Sequence, residues 1–243
     1  MRTALVTLVA LIALTGCSIG GKDDEPPKPT ASAVPSPTGL ATSLRAFSIG
    51  SYRFKVVAKE GSYTGAIDPV AGMLDASVSV RSDGASLKID TIGVHGSAYT
   101  RLTGLPLPGF DGNTWFRVDQ ARVTRPGALG LSAIADPTGV QALVAATHDV
   151  RRSGGTYSGT VDMTRVNAWG PVDIARVVQL GAVARAVPFE ATVDGQDRLL
   201  TMKVNIPDNP VEAAYSDFGS PVTVTAPSSA EPLPDHLYGM LGL

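Results

Sequence analysis

The residue whose position invites covalent chemistry is Cys17, the single cysteine of a 243-residue chain. Without a second cysteine no intramolecular disulfide forms, so its thiol is placed for alkylation rather than for redox exchange. The general bases on offer are three histidines, His95, His148 and His236. His95 follows Gly93-Val94 on the polar phase of a strand, His148 falls near a helix end, and His236 sits in a Pro-rich tail. No Gly-x-Ser-x-Gly nucleophile elbow accompanies them, and no two histidines have the spacing of zinc ligands. Surface or capping roles are expected of all three, and the residues call for no enzyme activity, metal or cofactor. Asp162 and Asp173 flank a helix-bearing stretch, and Arg151-Arg152 is a basic pair able to meet an anionic group, although a solvated turn explains it as well. Trp115 and Trp169 read as packing or rim residues rather than as a sugar platform.

The surroundings of Cys17 define its chemistry. Arg2 precedes an apolar run from Ala4 to Leu14, too short for a permanent membrane span. The run closes with Leu14-Thr15-Gly16-Cys17, which resembles the lipobox of bacterial lipoproteins. That resemblance implies cleavage before Cys17 and attachment of a diacylglyceryl group to its sulfur. The expected division is therefore a signal peptide over 1–16, then a lipidated N-terminus and tether over 17–43. The tether is a polar segment with Pro26-Pro27, Pro29, Pro35 and Pro37 and almost nothing to bury. Stretched like polyproline at about 3.1 Å per residue, it would hold a domain several tens of Å above the membrane. Localisation on the outer face of the cell membrane follows, through lipid alone, since no later apolar run reaches spanning length. Net charge is −2, with 20 Lys and Arg against 22 Asp and Glu. The basic residues are scattered, which leaves out a nucleic-acid partner.

The elements that must form the folded part are mostly strands. Tyr52, Phe54, Val56 and Ala58 alternate with polar residues, as do Leu74, Ala76, Val78 and Val80, and then Leu87 and Ile89. Ser82-Asp83-Gly84 and Asp194-Gly195-Gln196 supply hairpin turns. Further strands are expected over 94–102, 114–119, 157–164, 187–194, 198–206 and 211–217. Alternation of this kind fits antiparallel strands with one wet face and disfavours a doubly wound sheet. Asp136-Pro137 with Val140, Leu143, Val144 and Thr147 predicts a short amphipathic helix. Ile174, Val177, Val178 and Gly181 predict a second, running towards Ala186. The fold class is thus α+β: a curved antiparallel sheet, a half-barrel, with short helices over its concave apolar face.

The strings Pro188-Phe189-Glu190-Ala191-Thr192-Val193-Asp194-Gly195 and 215–227, from Tyr215 to Pro227, resemble the LppX/LprG-type family of actinobacterial lipoproteins. Segments 114–119, 136–140 and 157–162 add to the likeness, which covers 44–227 and leaves 228–243 as a C-terminal tail. What the resemblance implies is a LolA/LolB-like half-barrel enclosing a hydrophobic cavity for acylated lipids or glycolipids. It further implies that the protein carries or presents them at the envelope, with an envelope transporter or acceptor as protein partner. The alternative is a sensor or adaptor lipoprotein that binds a protein partner through the same kind of domain. Candidate cavity-lining residues are Phe54, Val56, Val78, Ile89, Phe189, Val193, Leu200, Met202 and Val204 on strands and Leu143, Val144, Val177 and Val178 on helices. Ordinary core packing is the competing role for each. The loop 105–112 before Trp115 reads as a strand connection or as a lip of the cavity.

Overall fold

The computed structural model describes residues 37–82, 85–104, 111–123, 136–172 and 174–241. Cys17, the signal, most of the tether, most of the 105–112 loop, Asp173 and the Asp83-Gly84 turn lie outside them.

Among the described residues twelve strands make one sheet. In chain order they are β1 (Tyr52–Ala58), β2 (Gly61–Asp68), β3 (Met73–Ser82), β4 (Ala85–Val94), β5 (Ser97–Thr103), β6 (Phe116–Val118), β7 (Thr147–Ser153), β8 (Thr156–Val161), β9 (Val187–Val193), β10 (Leu199–Val204), β11 (Val211–Ser216) and β12 (Glu231–Pro232). The spatial order is β12-β6-β5-β4-β3-β2-β1-β11-β10-β9-β8-β7. Every pairing is antiparallel except β12 with β6. The sheet is open and curved, with few short helices. Alternation produces it directly: β1, β9 and β11 bury every second residue, so each has one apolar and one solvated face.

The helices are α1 (Pro37–Thr42), α2 (Ala46–Ile49), α3 (Val140–Ala145), α4 (Ile174–Val178) and α5 (Asp235–Met240). The first four contribute Leu40, Phe47, Leu143, Val144 and Val177 to the core on the apolar face of β1–β3 and β7–β11. Leu40, on α1 within the segment expected to be tether, is fully buried in this core, an apolar side chain that the tether was expected to lack.

Other expectations need correction. His95 is not within a strand. His95 and Gly96 both have positive φ, 50° and 75°, and form a two-residue hairpin turn between β4 and β5, with Val94 opposite Ser97. His148 lies in β7, and His236 on α5. The strand expected to reach Thr164 stops at Val161, where Asp162 accepts from the Thr164 N–H at 3.0 Å and caps a 3₁₀ turn. The second helix halts at Val178 and gives way to a 3₁₀ turn over Gly181–Arg185, with Gly181 at φ 62°. Residues 231–241 are no loose tail: β12 pairs with β6, and α5 packs Leu237 and Tyr238 against β4–β6. Three strands, β2, β7 and β12, have no counterpart in the sequence pattern.

Candidate functional site

The concave face is built from rows of side chains that run across the strands in register. One row reads Leu102, Ile89, Val78, Tyr63, Val56, Ala213, Met202, Ala191 and Tyr157, from β5 through β4, β3, β2, β1, β11, β10 and β9 to β8. The next row reads Phe116, Thr100, Thr91, Ala76, Gly65, Phe54 and Tyr215. Its centre is made of small residues. At Gly65 the smallness is enforced, since an added Cβ would come within 2.6 Å of the Phe54 ring.

Two buried clusters occupy this face. The larger covers β1–β3 and β7–β11 and includes Trp169, Tyr52, Met202 and the helices α1–α4. The smaller covers β4–β6 and is closed by Leu233, Leu237 and Tyr238. Val78, half-buried, packs against both. Beside it the inward positions Val80 and Leu87, paired across β3 and β4, are also only half-buried. Among the described residues, Val78, Val80 and Leu87, with the buried Ile89 beside them, make a strip of apolar strand surface that neither cluster covers completely.

The candidate residues divide accordingly. Phe54, Val56, Leu143, Val144, Val177, Phe189, Val193, Met202 and Val204 belong to the larger cluster, where they pack on one another. Ile89 belongs to the smaller one and Val78 to the junction. Two fall elsewhere. Val178 is 42% exposed, because α4 turns Val177 inward and its neighbour out. Leu200 is half-buried where a register shift between Leu199 and Thr201 breaks the alternation of β10. Val80 and Leu87 are not among the candidates above, although their alternation puts them on the apolar phase. Only the strand register shows that they face each other between the clusters.

The polar candidates find structural partners. Arg152 donates through Nε to the Gly154 carbonyl at 2.9 Å and pairs with Asp197. The Arg101 guanidinium lies 4.8 Å from the Trp115 ring centroid. Trp169 is fully buried. Asp136 accepts from the N–H groups of Val140 at 3.0 Å and Gln141 at 2.9 Å, which fixes the start of α3. Burial pushes its carboxyl above the usual range, against those backbone hydrogen bonds. Among the described residues no cluster of three or more His, Cys, Asp and Glu is placed to hold a metal, and no helix is long and apolar enough to cross a membrane.

No family model and no curated protein matches the chain. Solved structures do. LprF from Mycobacterium bovis aligns over 80% of this chain and 99% of its own, with a TM-score of 0.51 at 18% identity. The Mycobacterium tuberculosis lipoprotein LppX aligns over 76% of this chain and 98% of its own, with a TM-score of 0.36 at 14% identity. The chain shares the fold of LprF: an open curved sheet with short helices on one face.

Proposed function

We propose that this chain, with the fold of LprF as its premise, is a lipid-anchored envelope protein that binds an acylated lipid or glycolipid and carries or presents it. The observation that supports this most is the half-buried strip Val78–Val80–Leu87 between two packed clusters on the concave face. An acyl chain fits such a strip because apolar burial is non-directional and tolerates varied chain lengths. The physical need is large. Two acyl chains expose about thirty CH₂ groups, and at about 0.8 kcal/mol each their hydration costs on the order of 20 kcal/mol. Lipid does not cross water at a useful rate unless something shields it. Cys17, in its lipobox-like setting, would keep the carrier at the surface where its ligand resides.

One experiment tests both parts. The full chain carrying Cys17→Ala is expected to leave the membrane fraction still folded, and native mass spectrometry of the purified protein should detect diacyl lipid. Leu87→Asp in the same background should abolish that lipid while leaving the circular dichroism unchanged. Repeated absence of lipid from folded Cys17→Ala protein would overturn the carrier reading, and retention on the membrane would overturn the anchor.

A further inference from the structure

Among the described residues six large apolar side chains are exposed, and three of them fall within one short stretch: Val178 at 42%, Leu180 at 38% and Val183 at 52%. The others, Ile49, Val57 and Val70, stand on three separate elements. The stretch is pinned at both ends, since Val177 on α4 and Ala184 in the 3₁₀ turn Gly181–Arg185 are buried in the larger cluster. Gln179 is the only polar side chain from Val177 to Ala184. Between its two anchors the chain therefore presents an apolar tip. This tip stands near the apolar strip. Leu180 shares a cavity of about 80 Å³ with Val177, Ile206, Pro207 and Glu60. Glu60 belongs to the β1–β2 turn, and the next residue, Gly61, lies opposite Val80, itself paired with Leu87. At Gly61 an added Cβ would strike the Ser79 carbonyl oxygen, so the position between turn and strip stays without a side chain.

Charge favours one kind of partner for the tip. From Ile174 to Phe189 the charged residues are Arg176 and Arg185, both basic. A third arginine, the exposed Arg165, lies on the 3₁₀ turn Met163–Arg165, which packs against both α4 and Gly181–Arg185. The nearby acids are Asp162, which caps that turn by accepting from the Thr164 N–H, and Glu60 and Asp208 on the far wall of the cavity. Glu60 is engaged, accepting from Asn209 Nδ2 at 2.6 Å. A few apolar side chains flanked by arginines suit a bilayer interface, where the side chains enter the acyl boundary and the guanidiniums meet anionic headgroups. Three partly exposed side chains fall far short of the ~800 Å² per partner that a stable protein interface buries.

We infer that the tip Val178–Val183, with Arg165 and Arg185 beside it, docks on the anionic surface of a lipid bilayer, so that an acyl chain passes from the membrane by way of Gly61 to the strip. The tether expected after Cys17, at about 3.1 Å per residue when stretched, is long enough to let this end of the sheet turn to the membrane. The passage rests on the lipid-binding reading above; the docking does not.

Cys17 is the single cysteine, so in the full chain carrying Cys17→Ala a new cysteine takes a polarity-sensitive fluorophore at one position. Val183→Cys reads the tip. Val70→Cys, at a site 73% exposed beyond the far end of β2, reads the opposite end of the sheet. Vesicles of phosphatidylcholine with about 30% phosphatidylglycerol are expected to shift the Val183 label to the blue and leave the Val70 label unchanged. Adding Val178→Ser to the Val183→Cys chain should raise the lipid concentration at half-shift about fivefold. Arg185→Gln should raise it about fivefold on these vesicles and leave it unaltered on pure phosphatidylcholine. No shift at Val183, or an equal one at Val70, overturns the docking, and diacyl lipid seen in the same protein by native mass spectrometry then leaves the lipid reading standing. A shift that follows protein concentration without vesicles assigns the tip to a second copy and overturns the membrane. Docking by a protein that never holds lipid keeps the tip and overturns the passage together with the carrier reading.

Discussion

The two clusters of the concave face are built on different terms. Under β1 and β7–β11 large side chains from strands and helices interlock, and Trp169, Tyr52, Phe47, Met202 and Leu143 are fully buried. Under β4–β6 the strands bring Ile89, Leu102, Phe116 and Val118 beside the small Thr91, Ala98 and Thr100, and Leu233, Leu237 and Tyr238 come from near the end of the chain. The first region is closed by helices that are neighbours of its own strands in sequence. The second is closed by an element that returns from more than a hundred residues away, tied by the Asp119 N–H donating to the Tyr238 hydroxyl at 2.8 Å. A sheet can hold one end rigid and leave the other adjustable, and the half-buried strip lies at the boundary.

Truncation at matched positions exposes this difference most strongly. Leu143 on α3 and Leu237 on α5 are both 0% exposed. Leu143→Ala, surrounded on all sides, is expected to lower unfolding free energy by about 3–5 kcal/mol. Leu237→Ala should cost about 2–3 kcal/mol, because the smaller cluster, eight buried residues among those described, relaxes more readily around the gap. Urea titrations of both variants check the order. Equal losses would show that the second region is as firmly packed as the first.

The junction should respond less than either. Val78 touches both clusters but is only half-buried, so Val78→Ala removes part of two CH₂ groups' worth of burial, about 1 kcal/mol. A double-mutant cycle with Ile89→Ala, its partner across β3 and β4, should show coupling. A cycle with Leu237→Ala should be additive within about 0.5 kcal/mol if the α5 cap adjusts independently.

The same contrast explains what could be read from the sequence. Strands with large apolar residues at every second position, such as β1 and β9, announce themselves. In β2 the inward positions are Gly61, Tyr63, Gly65 and Ile67, so glycine occupies half the phase and the period disappears. In β7 only Val150 is buried, and a register shift with Asp149 at φ 52° breaks the alternation. The helix α5 has six residues, and its burial depends on contacts with β6 that no local pattern encodes. The apolar phase of the site was legible at Val78, Val80, Leu87 and Ile89. Which of them meet at a boundary depends on register and on helices from elsewhere in the chain.

The smallest expected effect distinguishes the regions by charge. Asp90, on the outer face of β4, has 13% of its side chain exposed and pairs with Lys88 at 2.8 Å and Arg101 at 2.9 Å. Burial works to raise its pKa, but hydrogen bonds from Lys88, Arg101 and Ser77 prevail and hold it below 3.8. A carboxyl with a depressed folded-state pKa adds stability above the unfolded value, and that stability is lost as pH falls through the folded one. Asp136 in the larger region has the opposite sign: its raised pKa gives a contribution present below 3.8 and lost as pH rises through the folded value. Since Lys88 is half exposed and screened, Asp90→Asn should cost only about 0.5–1 kcal/mol at pH 7. The difference from the unsubstituted chain should persist down to about pH 4 and shrink below it, read as the shift in urea midpoint at each pH. A difference that stays constant through that window would mean that Asp90 acts through its shape and neutral hydrogen bonds, and that the adjustable end of the sheet has no electrostatic clamp.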